Sequence, residues 1–178
     1  MTRLAVFMDR DGVINRPIIR GGNPHPPASM EELEILPDVQ QALAELKDAG
    51  YWLVVVTNQP DVARGSTPKA LVDSMNDWLK ARLPLDDVLT CFHDDADRCG
   101  CRKPEPGLLH AASRTLDIDL KNSYMIGDRW RDIEAGRRAG CTTFFIDRDY
   151  AEKQPASCDF RVRSLSEAAR IILGNGPR

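Results

Sequence analysis

The chain has 178 residues, of which 42% are hydrophobic and 29% charged, proportions that fit one compact domain over 1–178 with a sizeable buried core. Twenty-four Lys and Arg against 27 Asp and Glu leave a formal net charge of -3. That balance offers no basic footprint for nucleic acid or an anionic membrane surface, so any phosphate site has to be local. Five cysteines, three of them crowded into one short segment, argue against a disulfide framework.

The first apolar run, Leu4 to Met8, is too brief for a signal-peptide core or a membrane span, and a cytoplasmic, monomeric protein is expected. It reads as a strand, as do Trp52 to Val56, Val88 to Cys91, Ser123 to Ile126 and Thr142 to Ile146. Most are continuous apolar runs, as buried parallel strands require, and Trp52 reads as core. Between the first two, Val39, Leu43 and Leu46 recur at helical spacing after Pro37-Asp38, with Gly50 as the stop. A second helix follows Thr67-Pro68, with Leu71, Met75 and Trp78 as its inward stripe. This alternation predicts an α/β fold, a doubly wound parallel sheet whose ligands bind at the carboxyl ends of its strands. No stretch is long enough for a separate cap domain.

Four strand ends carry side chains suited to chemistry. After the first strand comes Asp9-Arg10-Asp11-Gly12, in which two carboxylates on an extended chain point one way and Arg10 the other. Alone this is also a common turn, and the apolar Val13-Ile14 that follows breaks the calcium-loop pattern. The second strand ends in Thr57-Asn58-Gln59, a polar turn or a phosphate cradle. Cys101-Arg102-Lys103-Pro104 offers a lysine able to neutralise phosphate oxygens, and Gly127-Asp128 followed by Asp132 offers carboxylates that could equally cap a helix. Their coincidence in one predicted crevice favours a common site. The segment from Pro17 to Pro27, with Arg16, Arg20, Gly21-Gly22 and His25, has no regular pattern and is either a substrate loop or a surface excursion.

Cys91 and His93, then Cys99 and Cys101 after a five-residue spacer, supply three thiolates and one imidazole, the four-coordinate set of structural Zn2+. Cys101 lies two residues before Lys103, so such a clip would fix the backbone that presents the lysine. Cys141 and Cys158 are expected to pack as small apolar residues.

The four motifs, in this order and over nearly the whole chain, resemble those of the haloacid dehalogenase superfamily. The resemblance implies a phosphatase in which Asp9 is the nucleophile, Asp11 the general acid and base, Thr57, Asn58 and Lys103 hold the phosphoryl group, and Asp132 supports them. Mg2+ would be held by Asp9, Asp128 and the backbone carbonyl of Asp11. Within the superfamily, the Cys-x-His and Cys-x-Cys-Arg-Lys-Pro loop resembles that shared by heptose-bisphosphate and histidinol-phosphate phosphatases, and Thr57-Asn58-Gln59 with Ala63-Arg64-Gly65 is more similar to the former. Val13, Pro60-Asp61 and Arg129 depart from that pattern. The resemblance implies a small phosphorylated sugar or related phosphate ester as substrate, with Arg102 contacting a second phosphate. The contrasting reading is a zinc-stabilised binding module without catalysis.

Overall fold

Each of the five apolar runs becomes a strand of one parallel sheet. The structure, a computed structural model, describes residues 2–175. In chain order its elements are β1 (Ala5–Met8), β2 (Ile18–Arg20), β3 (Asn23–His25), α1 (Val39–Asp48), β4 (Trp52–Asn58), α2 (Lys69–Lys80), β5 (Asp87–Cys91), α3 (Gly107–Leu116), β6 (Tyr124–Gly127), α4 (Trp130–Ala139), β7 (Thr142–Ile146), β8 (Phe160–Val162) and α5 (Leu165–Asn175). The main sheet has the order β5-β4-β1-β6-β7-β8, and every pairing in it is parallel. The chain enters at β1, steps outward to β4 and β5, then returns to the other side of β1 at β6. The strand order therefore reverses beside β1, and the crevice for a ligand opens at its carboxyl end.

Alternation along the strands divides the core in two. Ala5, Phe7, Val54, Val56 and Met125 face a cluster with Leu108, Leu109 and Ala112 of α3 and Ala135 of α4. Val6, Met8, Leu53, Val55 and Ile126 point the other way, onto Leu43 and Leu46 of α1, Met75 and Leu79 of α2, and Ala168 and Ile172 of α5. Both faces are covered, which is why these strands read as unbroken apolar runs.

Three parts of the fold differ from expectation. The inward stripe of α2 is Val72, Met75, Asn76 and Leu79, while Leu71 and Trp78 are only partly buried at its edge. Trp52 is half-buried rather than core, with the Arg3 guanidinium 3.9 Å from the centre of its ring. The segment expected to be irregular contains the hairpin β2-β3, closed by Gly21-Gly22 with φ of 57° and 79°. Positive φ at both central residues gives the turn whose twist matches the strands, and paired glycines allow it. No cap domain interrupts the sheet among the described residues, and none of their helices is long and apolar enough to cross a membrane.

Candidate active site and cysteine cluster

Asp9 follows β1 directly, and its backbone N–H continues the ladder to the Ile126 carbonyl at 3.0 Å. The chain then folds sharply, because the N–H groups of Ile14 and Asn15 return to the Arg10 carbonyl and Gly12 takes φ of 90°. Only glycine fits there on two grounds: the left-handed backbone, and a Cβ that would stand 1.7 Å from Asp128 Oδ2.

Asp9 Oδ1 accepts the Arg10 N–H at 2.8 Å and lies 2.9 Å from Lys103 Nζ. That ammonium is buried and also reaches Asp132 Oδ1 and the Val56 carbonyl, each at 2.7 Å. Burial pulls the Lys103 pKa down, but Asp132 and Asp9 outweigh it and hold the group above its ordinary value. Asn58 pins the lysine's backbone from both sides, its Oδ1 accepting the Lys103 N–H at 3.1 Å and its Nδ2 donating to the Lys103 carbonyl at 3.0 Å. Thr57 is buried beside it and accepts from Gln59.

Asp11 is held more tightly than its motif suggested. Arg10 does not point away: its guanidinium, with 0% exposure, lies 3.1 Å from Asp11 Oδ2 and donates to Asn76 at 3.0 Å. Asn15 and Gln59 add donors to Asp11 at 2.9 and 2.8 Å. From sequence, Arg10 is expected to point away and Gln59 reads only as part of a polar turn or phosphate cradle, so neither is placed against Asp11. The signal was weak, since their contacts reach across Asn76 of α2 and the end of β4.

Asp9, Asp128 and Asp132 bring carboxylate oxygens within 4.8 Å of one another. Burial pushes Asp9 up to about 6, Lys103 opposes this, and Asp132 and Asp11 add to the rise. Burial also raises Asp128 well above the usual carboxylate range, with Asp9 and Asp132 contributing. Asp132 spends its oxygens on Lys103 and on the Arg129 N–H, at 3.0 Å. Asp128 Oδ2 accepts from the Tyr150 hydroxyl, whereas Oδ1 is buried without a partner. Three buried acids, one lysine and an orphaned acid oxygen form a set that a hard divalent cation fits.

At the rim of the same cleft stand Arg102, Arg129 and Arg131. Arg102 and Arg131 both hold Asp95, at 2.8 and 3.2 Å, and Arg129 pairs with Glu152 at 2.7 Å. Arg102 also carries a buried Nη1 with no partner. From the hairpin, Asn23, Pro24 and His25 line the cleft, whereas Arg16 pairs with Glu34 at the exposed surface.

Beside Lys103, the Sγ atoms of Cys91, Cys99 and Cys101 lie 3.1 to 3.7 Å apart, with His93 Nδ1 3.4 Å from Cys101 and 3.6 Å from Cys91. These separations are too long for a disulfide and approach the roughly 3.8 Å edge of a tetrahedron with Zn–S bonds of about 2.3 Å. Of the other two thiols, Cys141 is buried in the core and Cys158 is half-buried.

A family model for haloacid dehalogenase-like hydrolases matches residues 26–140, more than half of the chain. The chain belongs to the haloacid dehalogenase-like hydrolase family. Over nearly its full length this hydrolase is similar to the D-glycero-β-D-manno-heptose-1,7-bisphosphate 7-phosphatases of Salmonella typhi, at 37% identity across 94% of both chains, and of Photorhabdus laumondii, at 39% identity across 96% of this chain and 95% of the relative. Among solved structures, the D,D-heptose 1,7-bisphosphate phosphatase of B. bronchiseptica, complexed with magnesium and phosphate, matches with a TM-score of 0.82 at 29% identity, covering 98% of this chain and 99% of that one. With such relatives, this haloacid dehalogenase-like hydrolase is a phosphatase.

Proposed function

We propose that the chain is a Mg2+-dependent phosphomonoesterase that works through an aspartyl phosphate on Asp9 and removes the 7-phosphate of D-glycero-D-manno-heptose 1,7-bisphosphate. The observation that carries this reading is a cleft with two separate groups of basic side chains, each held by neighbouring acids. Its floor holds Asp9 and Lys103, and four arginines line the cleft as well, Arg64, Arg102, Arg129 and Arg131, with Arg102 carrying an orphaned buried nitrogen. A substrate bearing two phosphates would use both groups, its second phosphate meeting the unpartnered nitrogen of Arg102, whereas a monophosphate would use only the floor. The names of the relatives from Salmonella typhi and Photorhabdus laumondii support the same substrate.

Asp9, Asp128 and the Asp11 carbonyl would hold the cation. When bound, it offsets the repulsion between the phosphate dianion and the attacking carboxylate. Asp9 attacks phosphorus and the alkoxide leaves, splitting one hard displacement into two easier ones, and water then cleaves the aspartyl phosphate. Lys103, fixed by Asp132 and Asn58, neutralises phosphoryl oxygens, with Thr57 beside it. Asp11 protonates the leaving alkoxide and later takes a proton from water. Because Arg10, Asn15 and Gln59 now donate to its two oxygens, Asp11 must release one of them to do so. The Cys91, His93, Cys99 and Cys101 set would hold structural Zn2+, keeping the Lys103 loop in place. The chain acts in the cytoplasm on a small phosphorylated sugar.

The test is phosphate release with Mg2+ from the heptose 1,7-bisphosphate and from histidinol phosphate, compared as kcat/KM. The bisphosphate should win by about a hundredfold or more, with the 1-phosphate retained. Preference for histidinol phosphate would overturn the substrate, unchanged turnover after Asp9→Asn would overturn the mechanism, and absence of phosphate release from any ester by the parent would revive the binding-module reading.

A further inference from the structure

The segment after β7 reaches back across the active site and bonds four parts of it. Arg148 Nε donates to the Gly12 carbonyl at 2.7 Å, and the Tyr150 hydroxyl to Asp128 Oδ2 at 2.7 Å. The Ala151 N–H donates to the Gly22 carbonyl of the hairpin at 2.9 Å, and Glu152 accepts from Arg129. This strap joins the nucleophile loop, the Asp128 turn, the cleft rim and β2-β3.

Its most consequential contact is the one at Asp128. Among the described residues, Tyr150 is the only hydrogen-bond donor to that carboxylate. Asp9 and Asp132 lie beside it as like charges, Arg129 opposes them without bonding it, and Lys103 bonds the two acids rather than Asp128. Gly12 leaves the space in which the pair meets, since a Cβ there would lie 1.7 Å from Asp128 Oδ2 and 3.0 Å from the Tyr150 oxygen. The two oxygens of Asp128 are thereby made unlike: Oδ2 is capped, and Oδ1 is buried and free of protein partners.

We propose that Tyr150 is a positioning residue for the divalent cation, fixing Asp128 so that Oδ1 is its one available ligand oxygen. This rests on the reading of Asp128 as a Mg2+ ligand. A carboxylate without its donor can turn about its last torsion and present either oxygen, and losing an outer partner of this kind typically costs about 10- to 100-fold in metal affinity.

The experiment is calorimetric titration of the full-length protein with Mg2+ alone, together with the melting temperature of the metal-free protein and the Mg2+ concentration giving half-maximal turnover. Tyr150→Phe keeps the ring and loses the hydroxyl. It should raise both the Mg2+ dissociation constant and the half-maximal concentration by about tenfold or more. The loss should fall there rather than in kcat at saturating Mg2+, and the metal-free melting temperature should stay close to that of the parent. Asp128→Asn, run alongside, should abolish binding. If Tyr150→Phe binds Mg2+ like the parent while Asp128→Asn does not bind, the role of Tyr150 is overturned and the metal reading stands. A lowered melting temperature with unchanged Mg2+ affinity also overturns it, marking a purely structural contact. Parent-like binding by Asp128→Asn overturns the metal reading and this inference with it.

Discussion

Lys103 Nζ stands 2.7 Å from Asp132 Oδ1, slightly nearer than it stands to Asp9 at 2.9 Å. The lysine is thus shared between Asp9, the proposed nucleophile, and a second acid, and it donates a third N–H to the Val56 carbonyl. Asp132, with its other oxygen on the Arg129 N–H, fixes the lysine and caps α4. Asp132→Asn should therefore lower kcat/KM by roughly a hundredfold through a misplaced lysine. Calorimetry should show Mg2+ binding retained. Loss of Mg2+ binding would instead put Asp132 among the ligands.

The raised pKa of Asp9, about 6 against an ordinary 3.8, predicts how metal binding follows pH. A carboxyl raised by folding favours the folded state in its protonated form. That contribution is full below 3.8 and is lost as pH rises through about 6. Mg2+ needs the ionised acid, so its affinity should fall as pH drops through about 6, and binding there should release a proton. Titration in two buffers of different ionisation enthalpy reads that release directly. A flat affinity from about pH 5 to 7 would remove Asp9 from the metal site.

Asp11 should matter in proportion to the leaving group's need for a proton. Asp11→Asn is expected to slow a sugar phosphate by roughly 10²- to 10⁴-fold while costing an aryl phosphate far less, because a phenolate leaves unprotonated. Parallel assays on the two ester types decide it. Equal losses would assign Asp11 a purely structural part in the Arg10, Asn15 and Gln59 network.

Replacing Cys99 with Ser removes one of the four proposed zinc donors without touching the carboxylates. Zinc content should fall, and the melting temperature with it, while residual turnover per folded molecule keeps its pH profile. Elemental analysis beside a thermal melt is sufficient. Full zinc occupancy with a parent-like melt would dismiss the cluster as a structural clip.

Asp9, Asp11 and Asp128 could be grouped from sequence because each follows an apolar run, where topology brings strand ends together, whereas the cysteine cluster and Lys103 stood out by their close spacing in the loop after β5. Residues placed by contacts distant in sequence were not legible in these ways. Asn76 interrupts the apolar stripe of α2 because it is buried against Arg10 and Thr90, and a polar residue there shifted the expected face. Tyr150 lies in an irregular stretch that carries no motif. The short edge strand β8 and helix α5 also escaped notice, whereas Gly21-Gly22 did contain a hairpin signal that composition alone obscured.

The loop between β5 and Lys103 is anchored at both ends. Cys91 stays in register with Asn58 across the sheet, and Asn58 grips the backbone of Lys103. What lies between His93 and Cys99 is therefore a short insert whose flanks are held by contacts outside it. The entropy of closing a loop grows only slowly with its length, so residues can be added or exchanged there while the lysine keeps its place. Asp95, the acid that holds two rim arginines, belongs to this insert. On the proposed function, the acid that orients two rim arginines thus lies outside the contacts that anchor Lys103, and the surroundings of those arginines can change while the lysine's anchors stay.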